Sequence, residues 1–243
     1  MSAEATLQAP PPLAEIPRAA LFLDFDGTLV PIAPEPGQIA VPDDLAARLV
    51  RLAGTVEQAL ALVSGRAIDD LTRFVGSPPL YRAGSHGAHV MGPSGETIRA
   101  ADPIAPETKA ALKDYAAEHG LYFEDKPHGA GLHSRKVPEK FAAMADFAAD
   151  LAQRHGLACK AGKQVVELVQ PGADKGGAVQ LLMQQPEFAG RTPVFLGDDV
   201  TDEDGFAACA DAGGFGIAVG ERVSQGAQYR LDGVDEVYQW LDL

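Results

Sequence analysis

The sequence predicts an α/β protein in which a Rossmann-like, doubly wound parallel sheet is interrupted by a smaller α+β domain. Three observations carry that prediction. Short, almost wholly apolar runs at 19–25 (AALFLDF), 59–64 (ALALVS) and 193–198 (PVFLGD) have strand length and no polar alternation, as strands covered on both faces do. Helix-like stretches alternate with them, the order that builds βαβ units. Between 104 and 171 this alternation gives way to helix–strand–strand, twice over.

In chain order, the first strand (19–25) is followed by a helix from Pro42 to Ala53, closed by Gly54. The second strand (59–64) ends at Gly65-Arg66 and feeds a helix over 67–75. Short strands are expected at 80–84 and within 88–99, with turns at Gly92 and Ser94-Gly95. Each half of the insertion has a helix ending in His-Gly-Leu, at 119–121 and 155–157, and then two strand-like pieces. Gly120 and Gly156 suit helix C-caps, and the two histidines suit the negative end of a helix dipole. The core grammar resumes with helix 174–185, strand 193–198, helix 202–211, strand 214–220 and a helix over 233–242. The expected domains are therefore a core of 18–103 and 172–243 and an α+β domain of 104–171.

Composition narrows the possible functions. A chain of 243 residues needs neither disulfides nor a structural metal to bury a core. Its 34 Asp+Glu against 20 Lys+Arg, a net charge of −14, argue against a general nucleic-acid binder and against a partner of anionic membranes. Any anionic ligand must be met by a local basic pocket. No run approaches the ~20 apolar residues of a membrane span. The opening MSAEATLQAPPPLAEIP lacks the regions of a secretory signal, and residues 1–17 are expected to form a loose leader. Two cysteines, Cys159 and Cys209, neither in a CxxC pair, fit a reduced, cytoplasmic setting.

The chemistry concentrates at strand ends. Asp24 and Asp26, two apart, aim two carboxylates at one spot beyond the carboxyl edge of the sheet, where doubly wound folds place ligands. Ser64, Gly65 and Arg66 end the second strand with a hydroxyl, an approachable amide and a guanidinium, a set that suits phosphate. Lys175 opens the helix after the insertion. Asp198 and Asp199 end strand 193–198, ahead of Asp202 in an acidic first helical turn.

The motifs DFDGTLV, VSGR, DKGGA and FLGDDVTDED, in this order, resemble those of the haloacid-dehalogenase-like (HAD) phosphohydrolases. Among these, GSHGAH, LHSR, GKQVVEL and GRTPVFLGDDVTDEDGF extend a resemblance to the trehalose-6-phosphate phosphatases over nearly all the chain after Arg18. The resemblance implies a HAD-like core with a C2-type cap, and hydrolysis of trehalose 6-phosphate within trehalose biosynthesis, after a trehalose-6-phosphate synthase. It implies Asp24 as nucleophile and Asp26 as general acid and base. Mg²⁺ would be held by Asp24, the Asp26 backbone carbonyl and Asp198, and the phosphoryl group by Ser64, Gly65, Arg66 and Lys175. Asp199 and Asp202 would orient Lys175 and metal-bound water. His86, Lys126, His133, Arg135, Lys163 and Glu167 fall on sugar-contact positions, with Lys163 available as a partner for Glu167. Residues 126–175 hold eight Lys+Arg and five Asp+Glu, a basic stretch in an acidic chain. Two positions depart from the family: Ser134 replaces an aromatic residue and His89 a glutamate. A phosphatase or phosphomutase for another sugar phosphate is the alternative.

Overall fold

A computed structural model describes residues 7–32, 39–162 and 164–243. Lys163, residues 1–6 of the expected leader and residues 33–38 lie outside the described residues. Contacts divide the chain into two units: described residues up to Arg99 with Asp174–Leu243, and Ala100–Ala173. The expected break at 103/104 moves to 99/100. Ile104 is buried in the core of the second unit, and His128 Nδ1 lies 2.7 Å from the Ala101 carbonyl.

The first unit is an eight-stranded sheet. Its strands are β1 (Ala19–Leu23), β2 (Leu60–Val63), β3 (Tyr81–Gly84), β4 (His89–Met91), β5 (Thr97–Ala100), β10 (Thr192–Gly197), β11 (Phe215–Val219) and β12 (Tyr229–Leu231). The order is β12-β11-β10-β1-β2-β3-β4-β5. The six strands from β12 to β3 run parallel, and β4 turns back antiparallel on β3. β1 sits centrally, and all five of its residues are buried, which explains the unbroken apolar run. One layer of the core gathers Leu21, Leu23, Leu49 and Leu62 under α1 (Leu45–Thr55), α2 (Ile68–Val75) and α7 (Val234–Leu241). The other gathers Phe22, Phe188, Phe195 and Phe206 under α5 (Lys175–Leu182) and α6 (Glu203–Asp211). The chain leaves β1 toward β2 and returns later to β10 on its other side, so a topological switch point lies beside β1.

The described part of the leader is not loose, contrary to expectation. Leu13–Glu15 forms a helical turn, the Gln8 carbonyl accepts from Arg230 N at 2.9 Å, and Trp240 Nε1 donates to the Pro11 carbonyl at 2.9 Å. Apolar Leu7 and Leu13 pack on the core and outweigh the prolines between them.

The second unit is a four-stranded antiparallel sheet, β6 (Tyr122–Lys126), β7 (Gly129–His133), β9 (Val165–Val169) and β8 (Ala158–Gly162) in spatial order, backed by α3 (Pro106–His119) and α4 (Phe141–His155). Both helices end at left-handed glycines, Gly120 at φ 68° and Gly156 at φ 65°. Alternation sorts the faces. Ala130, Leu132, Val166 and Leu168 face the helices, and Glu124, Lys126, His133 and Glu167 take the other side.

Candidate active site

Asp24 follows β1 and Asp198 follows β10. Because Leu23 pairs with Leu196, both carboxylates emerge at one carboxyl edge. Asp202 joins them: ligand oxygens of Asp24, Asp198 and Asp202 all lie within 4.8 Å of one another. Gly197 makes that approach possible, since a Cβ there would sit 2.2 Å from Asp202 Cγ. Lys175, the first residue of α5, donates from Nζ to Asp24 Oδ1 at 2.7 Å and to Asp202 Oδ1. The start of α5 is fixed by Asp174, whose side chain accepts from Gly177 N at 2.7 Å.

Three of these four groups are buried, Asp24 and Lys175 at 4% and 2% exposure and Asp202 at 0%, while Asp198 is half-buried. Burial raises the Asp24 and Asp202 carboxyls above their usual range, against the pull of Lys175. Burial, with repulsion from Asp202, pushes Asp198 up to about 7. Burial alone would discharge Lys175, but Asp24 and Asp202 outweigh it and hold the ammonium charged. Three carboxylates face one ammonium, and that uncompensated charge suits a divalent cation. Asp198 Oδ1 is buried with no hydrogen-bond partner among the described residues, an oxygen placed as a ligand would be.

Other expected residues fall close by in altered roles. Asp199 does not reach Lys175. It closes a reciprocal cap with Asp202, donating from its N–H to Asp202 Oδ2 at 2.8 Å, so it orients Asp202 instead. Asp26 turns its carboxylate to Arg66, which grips it through Nε and Nη2 at 2.6 Å each. The expected phosphate ligand Arg66 is thus engaged with Asp26, its guanidinium 4.9 Å from the Phe74 ring centroid. Ser64 is buried, and its Oγ accepts from Arg66 N at 3.1 Å. His86, at φ 56°, lays its ring against Gly65, where a Cβ would meet Cε1 at 2.6 Å.

In the second unit, Lys126 and Glu167 form an ion pair; the expected partner Lys163 lies outside the described residues. Glu167 sits opposite Gly131, itself opposite Glu124, and this register brings Lys126 across. His133 Nε2 lies 2.8 Å from Glu124 Oε2, and Lys126 Nζ lies 3.7 Å from the same oxygen. Arg135 is exposed just beyond β7. Ser134 is buried, and its Oγ donates to Gln164 Oε1 at 2.5 Å, tying β7 to the β8–β9 turn. Sequence reasoning missed Arg222, which donates from Nε to the Asp198 carbonyl at 2.9 Å and pairs with Glu203 at 2.7 Å. It lies after a strand in no motif, and nothing in its neighbours signals the contact.

A trehalose-phosphatase family model matches residues 22–234. The trehalose-6-phosphate phosphatase of Escherichia coli K12 is 38% identical over 240 residues, which span 96% of this chain and 90% of that protein. A probable trehalose-phosphate phosphatase of Sinorhizobium fredii is 37% identical over 84% of this chain and 78% of its own length. Among solved structures, the C-terminal domain of Candida albicans trehalose-6-phosphate phosphatase superposes with a TM-score of 0.78 over 98% of both chains, at 22% identity. A haloacid dehalogenase-like hydrolase from Bacteroides thetaiotaomicron reaches 0.66 over 91% of this chain and 97% of its own, at 17% identity. The two structural likenesses speak to the fold.

Proposed function

The chain belongs to the trehalose-phosphatase family, and from that premise we propose that it hydrolyses trehalose 6-phosphate to trehalose and phosphate through an aspartyl-phosphate. The carrying observation is Asp24, a buried carboxylate at the end of the central strand, held by Lys175 and surrounded by Asp198 and Asp202.

An Asp24 oxygen attacks phosphorus and the bond to the sugar oxygen breaks. Asp26 gives its proton to that oxygen, then takes one from the water that attacks the acyl phosphate and releases Asp24. Lys175 orients Asp24 and favours its ionised form against burial, and its charge lies where equatorial phosphoryl oxygens need neutralising. Ser64 and the Gly65 amide offer further donors beside it. Arg66 presents Asp26 and adds positive charge at the same edge. Mg²⁺ held by Asp24, Asp198 and the Asp26 carbonyl would shield the incoming phosphate from these carboxylates and polarise a phosphoryl oxygen. Asp202, oriented by Asp199, fixes Lys175. In the second unit, Lys126, His133, Arg135, Lys163 and Glu167 would read the sugar hydroxyls, with His86 contributing from the core. The substrate would come from a trehalose-6-phosphate synthase.

The test is phosphate release from trehalose 6-phosphate, with and without Mg²⁺, beside glucose 6-phosphate and other hexose 6-phosphates. A clear preference for trehalose 6-phosphate is expected. Equal or better turnover of a hexose 6-phosphate would move the assignment to another sugar phosphate.

A further inference from the structure

Away from the Asp24 cluster, a cleft of about 370 Å³ lies in the first unit beside α2 and the β3–β4 hairpin. Its lining includes Arg82, Asp69, Thr72, Ser77, Met91 and Ser94. Arg82 lies mid-strand in β3, opposite Leu62 on one side and Met91 on the other, and is only 4% exposed. A guanidinium so placed ordinarily has a carboxylate. The comparably buried Arg191 has Glu57 at 2.7 Å, and Arg66 has Asp26 at 2.6 Å. Arg82 has none among the described residues. It makes one long hydrogen bond, Nη1 to Thr72 Oγ1 at 3.4 Å, and its Nε is buried with no partner. Thr72 already donates to the Ile68 carbonyl at 2.8 Å, so its hydroxyl adds no charge compensation. Burial alone acts on the guanidinium and pulls its pKa down, with no opposing carboxylate.

We propose that this cleft is an anion site in which Arg82 binds one small oxyanion, a carboxylate or a single phosphate or sulfate group. The guanidinium offers a planar fork of donors, the geometry that receives two oxygens of such a group. Ser77 and Ser94 line the same space, and serine hydroxyls can bond its remaining oxygens. Asp69, exposed in the cleft lining, disfavours polyanions and so restricts the ligand to a small charge. This site shares no residue with the proposed catalytic machinery and does not depend on the identity of the substrate.

The experiment is the thermal midpoint of the whole protein against sulfate and, separately, acetate, with chloride balancing ionic strength. In the wild type the midpoint rises with at least one anion, and the effective one distinguishes a tetrahedral ligand from a planar carboxylate. Arg82→Leu should lose most of that rise, with the apparent affinity falling at least tenfold; anion binding at the Asp24 site would persist in the variant and so cancels from the comparison. Ser94→Asp, which places a carboxylate in the cleft, should raise the midpoint without added anion and blunt the response. Asp69→Asn should enlarge the response. The proposal fails if neither anion shifts the wild type or if Arg82→Leu responds as the wild type does. It also fails if Asp69→Asn lowers the midpoint and leaves the response unchanged, since Asp69 would then be the true partner. Should Arg82→Leu not fold, a Ser94→Asp protein with an unraised midpoint and a full response overturns it.

Discussion

Lys175→Met removes the one ammonium that serves both Asp24 and Asp202, and the structure sets the scale of the loss. The lysine side chain is 3% exposed and its partners 5% and 0%, so water cannot replace it. Deleting one partner of a buried ion pair costs about 3–5 kcal/mol. With two carboxylates stranded beside Asp198, the upper end applies at pH 8. For a chain of this length that is a fall in the thermal midpoint on the order of 10–15 °C. At pH 5.5 the stranded carboxylates, already pushed up by burial, bind protons more readily and the loss should shrink. Urea unfolding of wild type and variant at both pH values measures this, and saturating Mg²⁺ should recover part of the deficit at pH 8. Hydrolytic activity should be absent at either pH. A variant within about 1 kcal/mol of wild type at pH 8, or equally destabilised at both pH values, would refute the electrostatic account of this cluster.

Asp24→Asn should form no phosphoenzyme. Asp26→Ala should lose about 10²–10⁴ in turnover of trehalose 6-phosphate but far less with an activated aryl phosphate, whose leaving group needs little protonation; equal losses on both esters would remove Asp26 as general acid. The metal-free protein should lose stability as pH rises from about 4 toward 7, because Asp198, raised to about 7, binds its proton more tightly folded than unfolded. Thermal scans should show that Mg²⁺, which binds the ionised form, flattens this slope; a slope unchanged by metal would count against the site. Glu167→Ala and Lys126→Ala should each cut kcat/KM for trehalose 6-phosphate at least tenfold and spare the aryl phosphate, while losses shared by both substrates would mark a folding defect.

The core was legible because parallel strands advertise themselves as apolar runs, and the residue that ends each run marks the carboxyl edge. Asp24, Ser64 and Asp198 were found in that way, and Lys175 as the residue that opens the helix after the insertion. Pairings set by geometry across the fold were not legible. Arg66 meets Asp26 from 40 residues away, and Lys126 meets Glu167 from 41, the latter through a register that no local pattern declares. β12, three residues long, is too short for periodicity to register, and it positions the segment beyond Arg222. The leader misled because three prolines speak of chain stiffness and say nothing of what Leu7 and Leu13 pack against.

The pairing of β1 with β10 joins Ala19–Leu23 to Thr192–Gly197, across most of the chain. During synthesis the central strand of the core is therefore an unsatisfied edge until the last quarter of the polypeptide emerges. The second unit, whose strand pairs are local, can close its sheet well before that. Assembly should be slow at the core, with an apolar edge exposed while it waits, the condition under which chains associate wrongly or recruit chaperones. Because Asp24 and Lys175 meet across 151 residues of chain, catalytic competence should return late in refolding, after most of the helix has formed.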